Sequence, residues 1–339
     1  MKVTENTTYR MLQTNLDRIT GRLEDLRIQG ATGIKLNKPS DDPSAIRPVL
    51  TTRTQLRTTD RYLETMGVSL DKMQATDGHL AHVENILQRA KEIGINSVNE
   101  SLSPQDLNTL ADEVNFLKDE LLDSANGVID GKYMFAGYQE QTKPFVENTG
   151  YTDAGYDPLD SQTWPVFYMG DGNSTQLEIT PGELQEVTLT GNELFMGISN
   201  VSIQAQSNTP TNGFDYQSDK GVDVFSVLQR LEDSIRAGNV NNAPPTTPGD
   251  GIQKGLADLD LAADQNRRLR SQLGNRARRV ENAIQSQETV KADLEQILSR
   301  YQDADVIETF NDIIKQETAF KAALNITAKV SDISILDYV

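Results

Sequence analysis

The sequence predicts a mainly α protein with an inserted β domain. Long coiled-coil-like helices come from the N- and C-terminal segments, and a β-rich domain occupies the middle of the chain. Both ends carry apolar residues at alternating intervals of three and four. Between Gly131 and about residue 220 that period gives way to short apolar runs among Gly, Asn, Asp, Pro and Thr. The apolar share is 37% with 6% aromatics, which suits helices with narrow seams better than a thick core. A chain of 339 residues has room for two or three domains.

Near the N-terminus Tyr9, Leu12, Leu16, Ile19, Leu23 and Leu26 follow at intervals of 3, 4, 3, 4 and 3, a coiled-coil seam. Gly30, Gly33 and the turn Asn37-Lys38-Pro39-Ser40-Asp41-Asp42-Pro43 interrupt it. Ser40 or Asp42 can cap a new helix with Pro43 in its first turn, so a second helix is expected from about residue 43. It continues through Tyr62, Met66, Met73, Leu80, Val83 and Leu87 until Gly94 and the 99–104 run. Ser103-Pro104 opens a third helix with its seam at Leu107, Leu110, Val114, Leu117, Leu121 and Val128.

Residues 131–145, GKYMFAGYQEQTKPF, follow with four aromatics and two glycines. Tyr133, Phe135 and Tyr138 alternate as in a strand, and a packed junction between helix and β domain is expected here. Val166–Met169, the Gly170–Asn173 turn and Leu177–Thr180 read as a β-hairpin, and Val187–Thr190 as another strand. Helix resumes over 222–237 with Val224, Val227, Leu228, Leu231 and Ile235. Asn239–Pro248 reads as a linker. Residues 250–300 read as one helix of roughly 75 Å, its inner side marked by Ile252, Leu256, Leu259, Leu273, Val280, Ile284, Leu294 and Leu298. A last seam, Val306, Phe310, Ile313, Phe320 and Leu324, is joined on a neighbouring face by Ala319, Ala323, Ile326, Val330 and Ile333. One partner helix covers one face, so the ends are expected to order against each other and against neighbouring copies.

The net charge of −18 opposes phosphate, so no nucleic-acid partner is expected. The charge is uneven: residues 1–57 hold ten Lys/Arg against six Asp/Glu, while 139–220 hold two against twelve. A basic end and an acidic middle predict an assembly surface and a solvated exterior. Cysteine is absent, which excludes disulfides, thiolate metal sites and a cysteine nucleophile. The start, MKVTENTTYRMLQTNL, lacks the apolar core of a secretory signal, so any export is expected by a route without one. No stretch approaches the ~20 apolar residues of a membrane span, and no membrane insertion is expected.

No catalytic, cofactor or metal site emerges, and an enzyme is not expected. His79 and His82 lie three apart, but no third His or Cys exists to complete a site, and a solvated helix face is the simpler reading. Asp41-Asp42 sits between prolines, where Asp caps and turns. The stretch from Asp171 to Thr175 starts like a calcium loop but has Gln176 and Gly182 where Gly and Glu are required. Gly131 and Gly137 lack the following Gly-Lys-Ser/Thr of a phosphate loop.

KLNKPSDDPSA at 35–45, SANGVIDGKYMFAGYQEQTKPF at 124–145 and TFNDIIKQETAFKAALNITAKVSDISILDYV at 309–339 resemble the flagellin-like hook-associated proteins, most closely the FlgL family of hook–filament junction proteins. The resemblance covers roughly 1–145 and 222–339; Leu36 and Val339 depart mildly from it. It implies a non-enzymatic structural protein of the bacterial flagellum, exported unfolded through the flagellar type III apparatus and held by an export chaperone. About eleven copies would form a ring between the first hook–filament junction protein and the flagellin filament. By the same resemblance, residues 1–42 and 303–339 would form the inner coiled-coil domain, 43–130 and 222–302 the helical rod, and 131–221 the outer variable β domain. The expected assembly interface is Leu12, Leu16, Ile19, Leu23, Leu26, Phe310, Ile313, Phe320 and Leu324. Pro39, Ser40, Asp41, Asp42 and Pro43 would form the inter-domain turn, and Tyr133, Phe135, Gly137 and Tyr138 the β-domain junction. The alternatives are a filament flagellin, which the prolines and the missing Leu-Arg end disfavour, and a secreted surface-binding protein acting through the β domain.

Overall fold

The computed structural model describes residues 2–99, 102–157, 160–198, 221–241 and 251–336, with side chains at 2–6, 8, 9, 154 and 330–336 outside the description. Most of the predicted linker, residues 199–220 of the predicted outer domain and residues 337–339 therefore lie outside the described residues, as do the side chains of Tyr9, Val330 and Ile333. In chain order the helices are α1 (Lys2–Thr32), α2 (Pro43–Ser97), α3 (Pro104–Ala125), α4 (Gly191–Phe195), α5 (Val224–Arg236), α6 (Ile252–Gln302) and α7 (Val306–Leu336). Six short strands fall between α3 and α4: β1 (Val128–Ile129), β2 (Lys132–Tyr133), β3 (Phe145–Glu147), β4 (Val166–Tyr168), β5 (Gln176–Thr180) and β6 (Glu183–Glu186). Long N- and C-terminal helices that pack together and a small mid-chain region of antiparallel strands make up the described residues, the predicted fold class. Two compact units form, Met1–Arg61 with Gln287–Val339, and Tyr62–Ser286.

In the first unit α1 packs against α7. Gly33 ends α1 in the left-handed region (φ 70°), and its N–H donates to the Gln29 carbonyl. The chain then turns into α2 over a small core of Leu36, Ala45 and Val49, packed by Ile46 and Leu298.

In the second unit the third-helix start lies where the sequence predicts it. Ser103 caps α3 with a capping box to Asp106. Antiparallel to α2, α6 bonds it through Lys91–Asp260, Arg267–Glu84 and Arg270–Asp77. The carboxylates and ammonium at 77, 84 and 91 are seven residues apart, so they share one edge of the helix pair. Between the ion pairs Asn266 reaches the Leu80 carbonyl at 3.0 Å. α5 packs along α3.

Each strand pairs with one neighbour: β1 with β2, β3 with β4, and β5 with β6. The predicted hairpin between 166–169 and 177–180 does not form. Asp171 instead anchors its turn on the 135–138 segment: its N–H donates to the Ala136 carbonyl, and its side chain accepts from the Tyr138 N–H. β4 is thereby drawn to β3, and Pro181-Gly182 (Gly182 φ 85°) folds β5 onto β6 locally. Val187–Thr190, predicted as a strand, is extended but outside any ladder; the Val187 N–H donates to the Thr175 carbonyl. Gly197 (φ 67°) and Gly221 pass so close that a Cβ on Gly221 would lie 2.4 Å from the Gly197 carbonyl oxygen. Gln265 holds this crossing, accepting from the Val222 N–H and donating to the Leu194 and Val222 carbonyls.

Asp223 caps α5 from a fully buried position, accepting from the Phe225 and Ser226 amides and bonding the Ser226 hydroxyl. Burial pushes its carboxyl up to about 7 even though the three bonds favour the ionised form. A carboxyl with a raised folded pKa favours folding when protonated, so this contribution is present below the ordinary carboxylate range and is lost as pH rises to about 7. Trp164 is the sole tryptophan and is buried in the same unit, so its fluorescence follows this unfolding. Stability of the full chain is expected to fall between pH 5 and pH 8 by about 1–3 kcal/mol, and Asp223→Asn is expected to flatten that slope. Denaturant titrations at the two pH values check this; equal slopes in both proteins would contradict it.

Candidate assembly surfaces

The nine predicted interface residues divide by environment. Along α1, Leu23 is buried and Leu12, Leu16, Ile19 and Leu26 are half-buried. From α7, Ile313 and Phe320 are half-buried on the side that carries buried Thr309. Gly30 lets the helices approach closely, since a Cβ there would sit 3.2 Å from Ile313 Cδ1 and 3.7 Å from Thr309 Cγ2. Arg27–Glu317 (2.8 Å) and the Gln316 amide on the Ile19 carbonyl (3.4 Å) continue the contact. Phe310 and Leu324 point elsewhere. With Ile307 and Ile314 they form a solvent-facing stripe, 77% exposed at Ile307, 52% at Phe310, 62% at Ile314 and 45% at Leu324. At 100° per residue this stripe is centred roughly a quarter turn from the α1-facing side. The last helix thus has two apolar faces, and α1 covers one.

The predicted turn is a locally bonded device. The Asp41 carboxylate accepts from the Asn37 and Lys38 amides at 3.0 and 2.7 Å. Asp42 caps α2 through the Ser44 and Ala45 amides and the Ser44 hydroxyl, and these bonds, the hydroxyl first, hold its carboxyl below the usual range. Pro39, Ser40 and Pro43 are exposed. Sequence reasoning missed what the turn joins. Lys35 N–H donates to the Gln302 carbonyl and Ala304 N–H to the Gly33 carbonyl, both at 2.8 Å, so the α1–α2 and α6–α7 connections are stitched together. Asp305 then caps α7 through the Ile307 and Glu308 amides. The only sequence signal for this stitch was the Gln-Asp-Ala-Asp break before Val306.

At the β-domain junction Phe135 is fully buried and meets Phe195 edge-on at 5.4 Å. Phe145 bridges Phe195, Phe225 and Tyr168 at 5.1, 5.5 and 5.2 Å. Tyr133 is half-buried, whereas Tyr138 is exposed, with its hydroxyl on the Ser174 carbonyl. Gly137 has φ 69°, and a Cβ there would collide with the Asp171 carboxylate. The segment's phenylalanines face protein, while the Tyr138 ring faces solvent.

His79 lies beside the Ser124 hydroxyl, half-buried, so burial first and then His82 lower its pKa. His82 meets Glu120 at 3.2 Å. The expected solvated face is therefore a contact between α2 and α3. Among the described residues no group of three or more His, Cys, Asp or Glu is placed to hold a metal ion. A groove of about 390 Å³ between β6 and α6 is lined by Arg276 and Arg279, which bond Glu186 and Glu183.

Residues 3–140 match the bacterial flagellin N-terminal helical region. Flagellar hook-associated protein 3 of Escherichia coli (strain K12) is 22% identical over 337 residues, 97% of each chain. Along nearly its whole length the chain is similar to a flagellar hook-associated protein. Its fold is shared with hook-associated protein-3 from Legionella pneumophila, 19% identical with a TM-score of 0.57 over 74% of this chain and 98% of that one. The flagellar junction protein FlgL from Legionella pneumophila, also 19% identical, aligns with a TM-score of 0.53 over 77% of this chain and 100% of its own. Among the described residues no helix is long and apolar enough to cross a membrane.

The joint yields a direct test. Gly137→Ala places a side chain in the left-handed region and against Asp171, and is expected to cost ~2–4 kcal/mol. The transition followed by Trp164 fluorescence should move by that amount, and an unchanged midpoint would contradict the packing role.

Proposed function

We propose that this chain is a non-enzymatic structural protein of the hook–filament junction, forming a ring of about eleven copies between the hook-side junction protein and the flagellin filament. The exposed stripe of Ile307, Phe310, Ile314 and Leu324, on a helix whose other face is already taken by α1, carries this reading. Burying each of these side chains in a neighbouring copy contributes about 1–2 kcal/mol, and repetition around a ring multiplies the gain. In this reading 1–42 with 303–339 form the inner layer, 43–130 with 222–302 the next, and 131–221 face outward. The chain acts outside the cell, after export through the flagellar type III apparatus with a chaperone on its C-terminal helices. The likeness to hook-associated protein 3 along 97% of the chain supports the assignment.

The half-buried Leu16 and Phe320 are poor probes, because charging them breaks the α1–α7 pair as well as any ring. Phe310→Asp with Ile314→Asp alters only the exposed stripe. Circular dichroism and Trp164 fluorescence of the double variant are expected to match the parent. Its copies per purified flagellum should fall at least ~tenfold, with loss of motility. Normal incorporation would refute the stripe as the assembly surface.

A further inference from the structure

Two helix faces away from the terminal pair are open, of opposite charge, and spaced alike. On α2, residues 43–61 contain four arginines and a single acid, Asp60, which is bonded to Lys291. Arg47, Leu50, Thr54 and Arg57 follow at 3, 4 and 3, a coiled-coil spacing, and Leu50 in the middle is 56% exposed. On α3, six acids stand against Lys118 alone. Asp112, Phe116, Asp119 and Asp123 follow at 4, 3 and 4 on one exposed face, and Phe116 is 71% exposed. Arg47, Arg57, Asp119 and Asp123 have no ion-pair partner within 4.0 Å among the described residues; Asp112 bonds Arg236. An exposed phenylalanine within a row of aspartates is complementary in charge and spacing to an exposed leucine within a row of arginines.

We infer that the acidic Phe116 face of α3 docks on the basic Leu50 face of α2 in a second copy of the same chain. Antiparallel docking with Leu50 on Phe116 sets Arg47, three residues before Leu50, opposite Asp119, three residues after Phe116. Arg57 then falls within one turn of Asp112. The two faces differ, so the contact is heterologous and repeats from copy to copy, as a closed ring requires. This rests on the junction reading and adds a second, charge-selective surface to the apolar stripe of α7.

The sequence has no cysteine, so disulfide trapping can be run without background. Intact flagella carrying the full chain with Leu50→Cys and Phe116→Cys are oxidised and resolved by size. Dimers and larger multiples of this chain are expected, and neither single-cysteine chain should form them. Products of monomer size only, like-to-like dimers from a single-cysteine chain, or a bond to another protein would each overturn the inference. If the cysteine chain fails to incorporate, charge variants decide. Arg47→Glu alone and Asp119→Arg alone should each lower copies per flagellum by at least ~tenfold, and the combined chain should recover. No loss in either, or no recovery with an unchanged Trp164 signal, would overturn the inference as well. Absence of even the parent chain from purified flagella would defeat the junction reading itself, a different result from a parent chain that is present and not trapped.

Discussion

The backbone bonds from Lys35 to Gln302 and from Ala304 to Gly33 tie the exit from α1 to the entrance of α7, across some 270 residues of sequence. The terminal helices α1 and α7 pack on each other. Their shared seam can form only when the chain's two ends are brought together, and the stitch fixes the angle at which they leave it. Closing so long a loop costs little more than closing one half its length, about 0.6 kcal/mol per doubling. The expensive part is ordering the helices themselves, and that is offset by contact along their whole length. The α1–α7 pair, the turn at 37–43 and the exposed stripe of α7 all inherit their positions from these two bonds.

The second unit solves the same problem with polar chemistry at the edge and aromatic rings at the end. α2 and α6 carry ion pairs on one edge, each exposed enough to contribute little alone, and between them the Asn266 amide fixes register. Where the helices meet the strands, five rings drawn from residues 135, 145, 168, 195 and 225 converge. A short-stranded lobe with only two-stranded sheets has little cohesion of its own. The ring cluster and the Gln265 clasp give it a rigid base.

Most of the helical architecture was legible in the sequence, because the 3–4 spacing records the covered face and Ser103, Asp42 and Pro43 mark the starts with side-chain chemistry. The strands were less legible. Val166–Tyr168 pairs with Phe145–Glu147, nearly twenty residues back, and no local pattern announces a partner so distant. The prediction chose the nearer run, and the Pro-Gly turn at 181–182 competed for it and won. The split of the last seam into covered Ile313 and Phe320 and open Phe310 and Leu324 was visible only as two apolar faces; their assignment needed α1 in place. The buried amides Gln265 and Asn266 gave no signal at all, since polar residues within a long helix read as solvent-facing until their neighbours are known.

The close pass of Gly197 and Gly221 leaves no room for a side chain at either position. The two backbones meet there with Gln265 as their latch and no side chain on either glycine. A Cβ at Gly197 would lie 2.4 Å from the Val222 nitrogen and one at Gly221 2.4 Å from the Gly197 carbonyl oxygen, so any side chain at either position must push backbone apart. The crossing therefore acts as a backbone rivet, in which the absence of two side chains holds α4 against the start of α5.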